Sequence, residues 1–422
     1  MPNSVNLTVN FTKPLKKPHF GKGVSALSEG SPASKSGALG KYTKVHAKPM
    51  SQGLQRSHDF ILQDQSAKLL PKERVCNCLK RRIDKNKPRT VMFNENNKKA
   101  HWGNLQRCGS IWSCPVCAKK ITESRRSELK NGLANWKQKH SGSVLLLTLT
   151  FSHSINQSLR ENVLGLRKAM KVFYENHAVR RVFKDLGLAH KIKGFEVTFG
   201  SNGWHPHHHV LLLIEQENPD FYIYRDELAE LWIKACIRAG LNAPNMKHGL
   251  DLRDGGYAEK YVSKWGLEEE ITKGHIKRGR KDSVTPFDLL QLSFDDQPIF
   301  GKLPSALWQE MAITFKELRQ QQLRWDRGLK KLLLIEEKTD EELAEETENE
   351  SINLRDVDQI TFDLLSKYKK RHEFLKWQEA DFENGCYGCG ETEQNLIALF
   401  ERYIAELPNE QSEFIHVCKS LV

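Results

Sequence analysis

Three groups of side chains in this sequence are of types, and at spacings, that can do chemistry. The first is His205-Pro206-His207-His208-His209, which runs directly into Val210-Leu211-Leu212-Leu213-Ile214. Side chains alternate along a strand, so His205, His207 and His209 share one face while His208, Val210 and Leu212 share the other. Two neutral imidazoles on one face, two residues apart, are well placed to bind one divalent metal. A third ligand comes from the segment before it, through Asn202-Gly203, a strong hairpin signal. With Asn202-Gly203 as a two-residue loop, Ser201 pairs with Trp204, Thr198 with His207 and Glu196 with His209. Opposed residues of an antiparallel pair project to the same face, so Glu196 completes a set of two histidines and one carboxylate with open positions. A loop one residue longer would turn Glu196 to the opposite face. His205 is a further ligand or a phosphate contact, and His208 packs.

The second group is Gly255-Gly256-Tyr257-Ala258-Glu259-Lys260-Tyr261-Val262-Ser263-Lys264. At about 100° per residue on a helix, Tyr257, Lys260, Tyr261 and Lys264 fall within an arc of roughly 100°. Tyrosine is a poor nucleophile at its free pKa of about 10, and neighbouring ammonium groups and a metal favour the phenolate. Taken alone, the segment also reads as an amphipathic helix with half-buried tyrosines. The third group is Cys76-Asn77-Cys78, Cys108 and Cys114-Pro115-Val116-Cys117. This spacing supplies four thiolates for a structural Zn²⁺ site: Cys108, Cys114 and Cys117, with Cys76 or Cys78 as the fourth and His101 as a spare. Arg81, Arg82, Lys85 and Arg107, with Trp112 and Trp102 among them, offer charges for phosphates and rings for stacking on DNA. Cys386 and Cys389 form an isolated half-site to which no role is given.

A Glu-bearing strand, then His-x-His-Val-Leu-Leu-Leu, then Tyr-x-x-Lys-Tyr-Val-x-Lys resembles the HUH endonuclease superfamily, and within it the rolling-circle replication initiator (Rep) proteins of plasmids and phages. The resemblance spans roughly residues 75–300. It implies a metal-dependent nick in single-stranded origin DNA, with His207, His209 and Glu196 holding Mn²⁺ or Mg²⁺ on the scissile phosphate. Tyr261 would attack and remain as a 5′-phosphotyrosine, with Lys264 and Lys260 beside the reacting phosphate. Tyr257 is a second nucleophile or a bystander. His208 stands where the family usually has a bulky apolar residue. The resemblance also implies a host helicase and replication machinery as partners; a homodimer is left open. A conjugative relaxase or transposase of the same superfamily, a zinc-stabilised DNA-binding regulator without catalysis, and a metallohydrolase using water are the competing readings.

The elements that must position these groups can be read in outline. Ser143 to Phe151 is a buried strand, Asn156 to about Leu186 is helical, and Ile192–Phe199 and His205–Glu215 form the hairpin. Arg225 to Ala239 is a helix stopped at Gly240. A short strand follows over Leu250–Leu252, then the tyrosine helix. The order β-α-β-β-α-β-α predicts an α+β fold, an antiparallel palm with helices on one face, preceded by a small zinc-binding module. The chain divides into a disordered basic arm (1–57), a Cys-rich basic module (58–137), the nuclease core (138–304), one long amphipathic helix (305–335) and an acidic, helical or partly disordered C-terminal region (336–422).

Charge supports a polyanionic partner. The 422 residues carry 65 Lys and Arg against 53 Asp and Glu, but residues 336–422 alone hold 22 acids and 9 bases. The rest is therefore strongly basic, as nucleic-acid-binding proteins are. The longest apolar run, Val144 to Phe151, is far too short to span a bilayer, and the N-terminal residues lack the apolar stretch of a secretory signal. The expectation is a cytoplasmic protein with reduced cysteines and no membrane partner.

Overall fold

A computed structural model describes residues 52–140, 142–264, 283–345, 351–386 and 390–406. The predicted basic arm lies outside them as far as residue 51, while residues 52–57 already belong to helix α1 (Gln52–Leu69). Strands β1 (Arg89–Asn94) and β2 (Lys99–Gly103) follow, then the long helix α2 (Pro115–His140). The central region runs β3 (Ser143–Leu149), α3 (Leu159–Glu175), α4 (His177–Asp185), β4 (Leu188–Gly200), β5 (Gly203–Ile214), α5 (Arg225–Ala239), β6 (Leu250–Arg253) and α6 (Gly255–Lys264). After it come β7 (Ser283–Val284), α7 (Pro286–Leu292), α8 (Pro304–Glu317), β8 (Leu323–Trp325), β9 (Ser351–Val357), α9 (Gln359–Lys367), α10 (Arg371–Glu383) and α11 (Glu391–Ala405). None of the described helices is long and apolar enough to cross a membrane.

The fold is α+β, as the element order predicts. A six-stranded antiparallel sheet has the order β6-β3-β5-β4-β7, with β8 also on β4. Its alternation sorts the apolar residues into two cores. Leu145, Leu147, Val210 and Leu212 face α3, α5 and α8. Val144, Leu146, Ile192, Leu211 and Leu213 face Leu129, Leu133 and Trp136 of α2 and Ala258 and Val262 of α6. Helices thus cover the first face broadly, and α2 and α6 cover part of the second. The helical stretch predicted from 156 to 186 is broken at Asn176, whose side chain accepts from Ala178 N and caps α4.

The hairpin forms with a register two residues from the predicted one. Gly200 pairs with Gly203, Thr198 with His205 and Glu196 with His207. The loop is Ser201-Asn202, and of these turn residues only Gly203 takes a positive φ, 86°. The glycine sits after the turn rather than inside it, which moves the pairing. A Cβ at Gly203 would meet Ser154 O at 2.9 Å and Ile155 Cα at 2.8 Å, so close backbone approach also requires glycine there. Because the displacement is two residues, Glu196 keeps the predicted face.

Two predicted segments are different in the structure. The single helix over 305–335 is instead α8 followed by β8. The chain leaves the helix at Leu318, Arg319 adopts a positive φ (45°), and Leu323–Trp325 adds to β4 opposite Ile192–Gly194. Trp325 then packs into the second core against Gly132, where tertiary contact overrides the local helical pattern. The acidic C-terminal region, expected to be helical or partly disordered, contributes helices α9, α10 and α11 and also a strand. Strand β9 pairs with β1 in a three-stranded sheet, β2-β1-β9, so the cysteine module is completed from about 260 residues away. Trp102 stacks on Phe374 and meets Phe362 edge-on. Arg371 donates to Leu79 O and Asp64, each at 2.9 Å. Ion pairs Arg56–Glu379 and Arg355–Glu393 tie α10 to α1 and α11 to the small sheet.

Asp59 of α1 is 3% exposed, accepts from Gln55 at 3.3 Å and lies 3.7 Å from Lys119. Burial pushes its pKa up to about 6, against the pull of Lys119. The raised folded value means that stability falls as pH climbs from the unfolded pKa of about 4 through 6, because the folded state resists ionisation. The advantage of Asp59→Asn over wild type should grow by about 2–3 kcal/mol between pH 4 and 7, measured by urea unfolding.

Candidate active site

Strand β5 carries His207 and His209 at the open end of the stripe whose covered end is Leu211 and Leu213. Glu196 reaches between them from β4: its Oε2 lies 3.4 Å from His207 Nε2 and 3.5 Å from His209 Nε2. All three side chains are partly buried, and their ligand atoms lie within 4.8 Å of one another. The imidazoles are held from behind. Nδ1 of His207 is 3.3 Å from His205 O, a carbonyl that can only accept, so Nδ1 carries a proton and Nε2 is the atom aimed at Glu196. Nδ1 of His209 is 2.9 Å from Thr148 Oγ1, its cross-strand partner on β3. Such outer contacts fix the tautomer of ligating histidines. Burial opposes ionisation of Glu196, but charge and hydrogen bonds from His209 and His207 hold its carboxyl well below the usual range. The trio could hold a metal ion.

His205 shares the face but stands outside the trio. Its Nδ1 is 2.7 Å from Nε2 of His153, whose Nδ1 in turn donates to Asn202 O at 2.8 Å. Burial and the surrounding imidazoles push His205 down to about 3. His153 and Thr148 are absent from the sequence reading. Both would follow from the β3–β5 register, since Leu149 pairs with His208 and the next residues run towards His205. His208 packs as predicted, on the opposite face. Its ring meets Phe195 edge-on, its Nδ1–H donates to Gly194 O, and burial pushes it down to about 3. That satisfied ring explains how histidine replaces an apolar residue there.

Helix α6 follows β6 directly and packs through Ala258 and Val262 into the second core, on the sheet face that bears the trio. Tyr257, Lys260, Tyr261 and Lys264 are all residues of this helix, and their side chains lie outside the described residues.

Cys78, Cys108, Cys114 and Cys117 form a second group, all buried and with sulfurs within 4.8 Å of one another. Cys78 Sγ lies 3.5 Å from Cys117 Sγ and 3.7 Å from Cys114 Sγ, and Cys108 Sγ lies 3.7 Å from Cys117 Sγ. Cys114 precedes α2 and Cys117 is in its first turn, so the helix start sets their spacing. Hydrogen bonds from Cys108, Cys114 and Cys78 hold the Cys117 thiol well below its ordinary range, whereas burial pushes Cys114 up. Gln63 Nε2 donates to Cys114 and the backbone N–H of Cys108 to Cys78. This buried four-cysteine group could hold a metal. Cys76 is not part of it; its thiol donates to Ala67 O and Leu70 O, because residues 74–77 form a tight turn that points Cys78 inward. His101 also lies outside the group, and Cys389 lies outside the described residues.

Of the residues expected to touch DNA, Arg81 and Lys85 are exposed, while Arg82 and Arg107 are half-buried. Trp112 is not a stacking platform. Its ring packs against Phe195 and Phe315, and its N–H donates to Gln320 O at 2.7 Å. Trp102 is interior for the same reason, since it supplies the contact between the small sheet and the C-terminal helices.

An antiparallel sheet bearing a Glu–His trio that could hold a metal, in a chain that also gathers four buried cysteines, defines an α+β protein with two candidate metal sites. Comparison with known proteins places that class: residues 99–249 match the family described as replication protein, a stretch holding the hairpin and three of the four clustered cysteines. The resemblance to Rep initiators drawn from the motifs is thereby borne out. A Rep protein of Streptomyces lividans is 26% identical over 294 residues, covering 54% of this chain and 64% of its own. A Rep protein of Lentilactobacillus hilgardii is 26% identical over 127 residues, covering 29% and 39%. A neomycin resistance protein of Streptomyces cyanogenus is 25% identical over 136 residues, covering 26% and 31%. The matches thus span less than two thirds of each relative's length. No solved structure matches.

Proposed function

We propose that this protein initiates rolling-circle replication of a plasmid or phage, nicking and rejoining single-stranded origin DNA through a 5′-phosphotyrosine. The observation that carries the reading is the convergence of Glu196, His207 and His209 on the sheet face where α6 packs. One carboxylate and two imidazoles with open positions suit Mn²⁺ or Mg²⁺, which when bound would withdraw charge from a scissile phosphate. Glu196 and the two Nε2 atoms would hold the ion; Thr148 and the His205 carbonyl keep the imidazoles aimed.

Tyr261 Oη forms a bond to phosphorus as the bond from phosphorus to the 3′ oxygen breaks. The phenolic proton is lost to solvent, and the departing 3′ oxygen takes one up. Lys260 and Lys264 favour the phenolate and the phosphate it meets. One phosphoester replaces another, so a 3′-OH can reverse the step and close a circle. Tyr257, one helical turn away, is a candidate second nucleophile for that closure.

For the cysteine group we propose structural Zn²⁺. Four sulfurs about 2.3 Å from one centre in a tetrahedron lie about 3.8 Å apart, and the observed 3.5–3.7 Å separations fit. Cytoplasmic action with a host helicase follows from the same reading.

The test mixes purified protein with single-stranded DNA of its replicon and Mn²⁺, followed by denaturing gels. The expected product is an adduct that survives SDS, disappears with protease and is missing from Tyr261→Phe. Cleavage without any adduct would replace this mechanism with hydrolysis by water.

A further inference from the structure

The sheet face opposite the trio bears a second feature that the proposed chemistry does not use. A cleft of about 970 Å³ opens between α3, α4, β4, β8 and the 318–321 segment, with His208 on its wall. Eight of its lining side chains are Lys or Arg, against two carboxylates, Glu175 and Glu215. Lys193 pairs across the strands with Arg324, and their side chains share this face. Lys193 Nζ lies 4.9 Å from the Tyr174 ring centroid. Among the described residues, Lys193, Arg319 and Arg324 make no ion pair.

Crowding of this kind costs free energy unless an anion relieves it. Burial and then the neighbouring Arg324 lower Arg167 from its ordinary value. Burial lowers Lys193, with Lys191 and Arg324 adding to the effect and Asp326 opposing it. The wall is nevertheless firmly built. Arg167 donates to Leu318 O and to Gln320 Oε1, and Trp112 of the cysteine module donates to Gln320 O. The cations come from two helices, two strands and a loop, so they can meet several phosphates of one strand at once. A single small anion would leave most of them unneutralised.

We propose that this cleft is a second DNA site, which grips the phosphate backbone of duplex DNA on the reverse of the sheet from the trio. The inference rests on the replication reading for its choice of polyanion. It separates two tasks by face: the trio and α6 act on a single strand, while the cleft holds adjoining duplex without reading its sequence.

The experiment compares the triple variant Lys193→Gln, Arg319→Gln, Arg324→Gln with a charge-matched control, Lys234→Gln, Lys302→Gln, Lys331→Gln, whose exposed side chains lie outside the cleft. Binding of a 20-base-pair duplex is followed by fluorescence anisotropy over a range of salt concentrations. Thermal melting of each variant verifies the fold. Three lost phosphate contacts should reduce the slope of log K against log salt by about 2–3 and weaken binding at least about tenfold near 0.1 M salt. The control should keep the wild-type slope. Equal slopes for wild type and cleft variant, or equal losses in both variants, would overturn the assignment, as would tight binding of inorganic triphosphate with no change in the DNA slope. Adduct formation by the wild-type protein on a short single strand reports the proposed chemistry separately, so either reading can fail alone.

Discussion

Cys114→Ser should lose the bound metal and with it part of the stability of the N-terminal module, while Cys76→Ser should keep both. The contrast comes from two thiols that look alike in sequence and differ in surroundings. Cys114 is fully buried among three other sulfurs and accepts from Gln63. Cys76 donates to two backbone carbonyls, an arrangement a serine hydroxyl can reproduce. Structural zinc contributes about 10–16 kcal/mol of apparent binding free energy in small peptide sites, and that energy is folding energy wherever the site is absent from the unfolded chain. Loss of one of four thiolates removes a large part of it. The module is also held by the three-stranded sheet completed by β9, the aromatic contact around Trp102 and a buried apolar core including Leu62, Val75, Leu79, Val91 and Phe93, so its loss of stability should be partial. Elemental analysis should find one zinc per chain in wild type and Cys76→Ser, and well under half in Cys78→Ser and Cys114→Ser. The two deficient variants should also melt at lower temperature. Zinc lost from Cys76→Ser but kept by Cys78→Ser would reverse the ligand assignment.

What the sequence discloses about this site depends on how local each signal is. Cys-x-x-Cys at a helix start, alternating apolar residues in β3 and β5, and a glycine stopping α5 are short-range patterns, and each appears where expected. The two-residue period alone puts Glu196 on the right face, although the turn geometry around Gly203 gives it another partner. The failures are non-local. Leu323–Trp325 has a helical neighbourhood but is captured by the β4 edge. Acidic residues 351–406 look like a solvated tail because nothing nearby in sequence reveals β1, Phe93 or Trp102 as their partners. Trp112 and Trp102 are surrounded by lysines and arginines in sequence, yet their rings are spent on packing. His153 carries no local signal, because its partner lies across a strand pairing that only the fold establishes.

Glu196→Ala should reduce nicking by at least about a thousandfold, equivalent to about 4 kcal/mol of transition-state stabilisation. The carboxylate is the only anionic member of the trio, and it stands nearly equidistant from both Nε2 atoms. Its removal leaves two neutral imidazoles, a weak set for a hard cation that prefers oxygen. The defect should appear first as weaker Mn²⁺ binding, visible by calorimetry without DNA, and should be partly relieved by excess Mn²⁺. Thr148→Val offers a graded comparison. It removes the Oγ1 contact to His209 Nδ1 while leaving all three ligands in place, so a loss of roughly 10–100-fold in metal affinity is expected. A structural role for Glu196 predicts something different: lower stability in Glu196→Ala with no change in the Mn²⁺ dependence of whatever activity remains. Because Glu196 stands at an open, partly exposed end of the sheet rather than in a core, its truncation should lower the melting temperature of the metal-free protein far less than it lowers Mn²⁺ affinity. Separation of those two readouts is what distinguishes a ligand from a buried ion-pair partner.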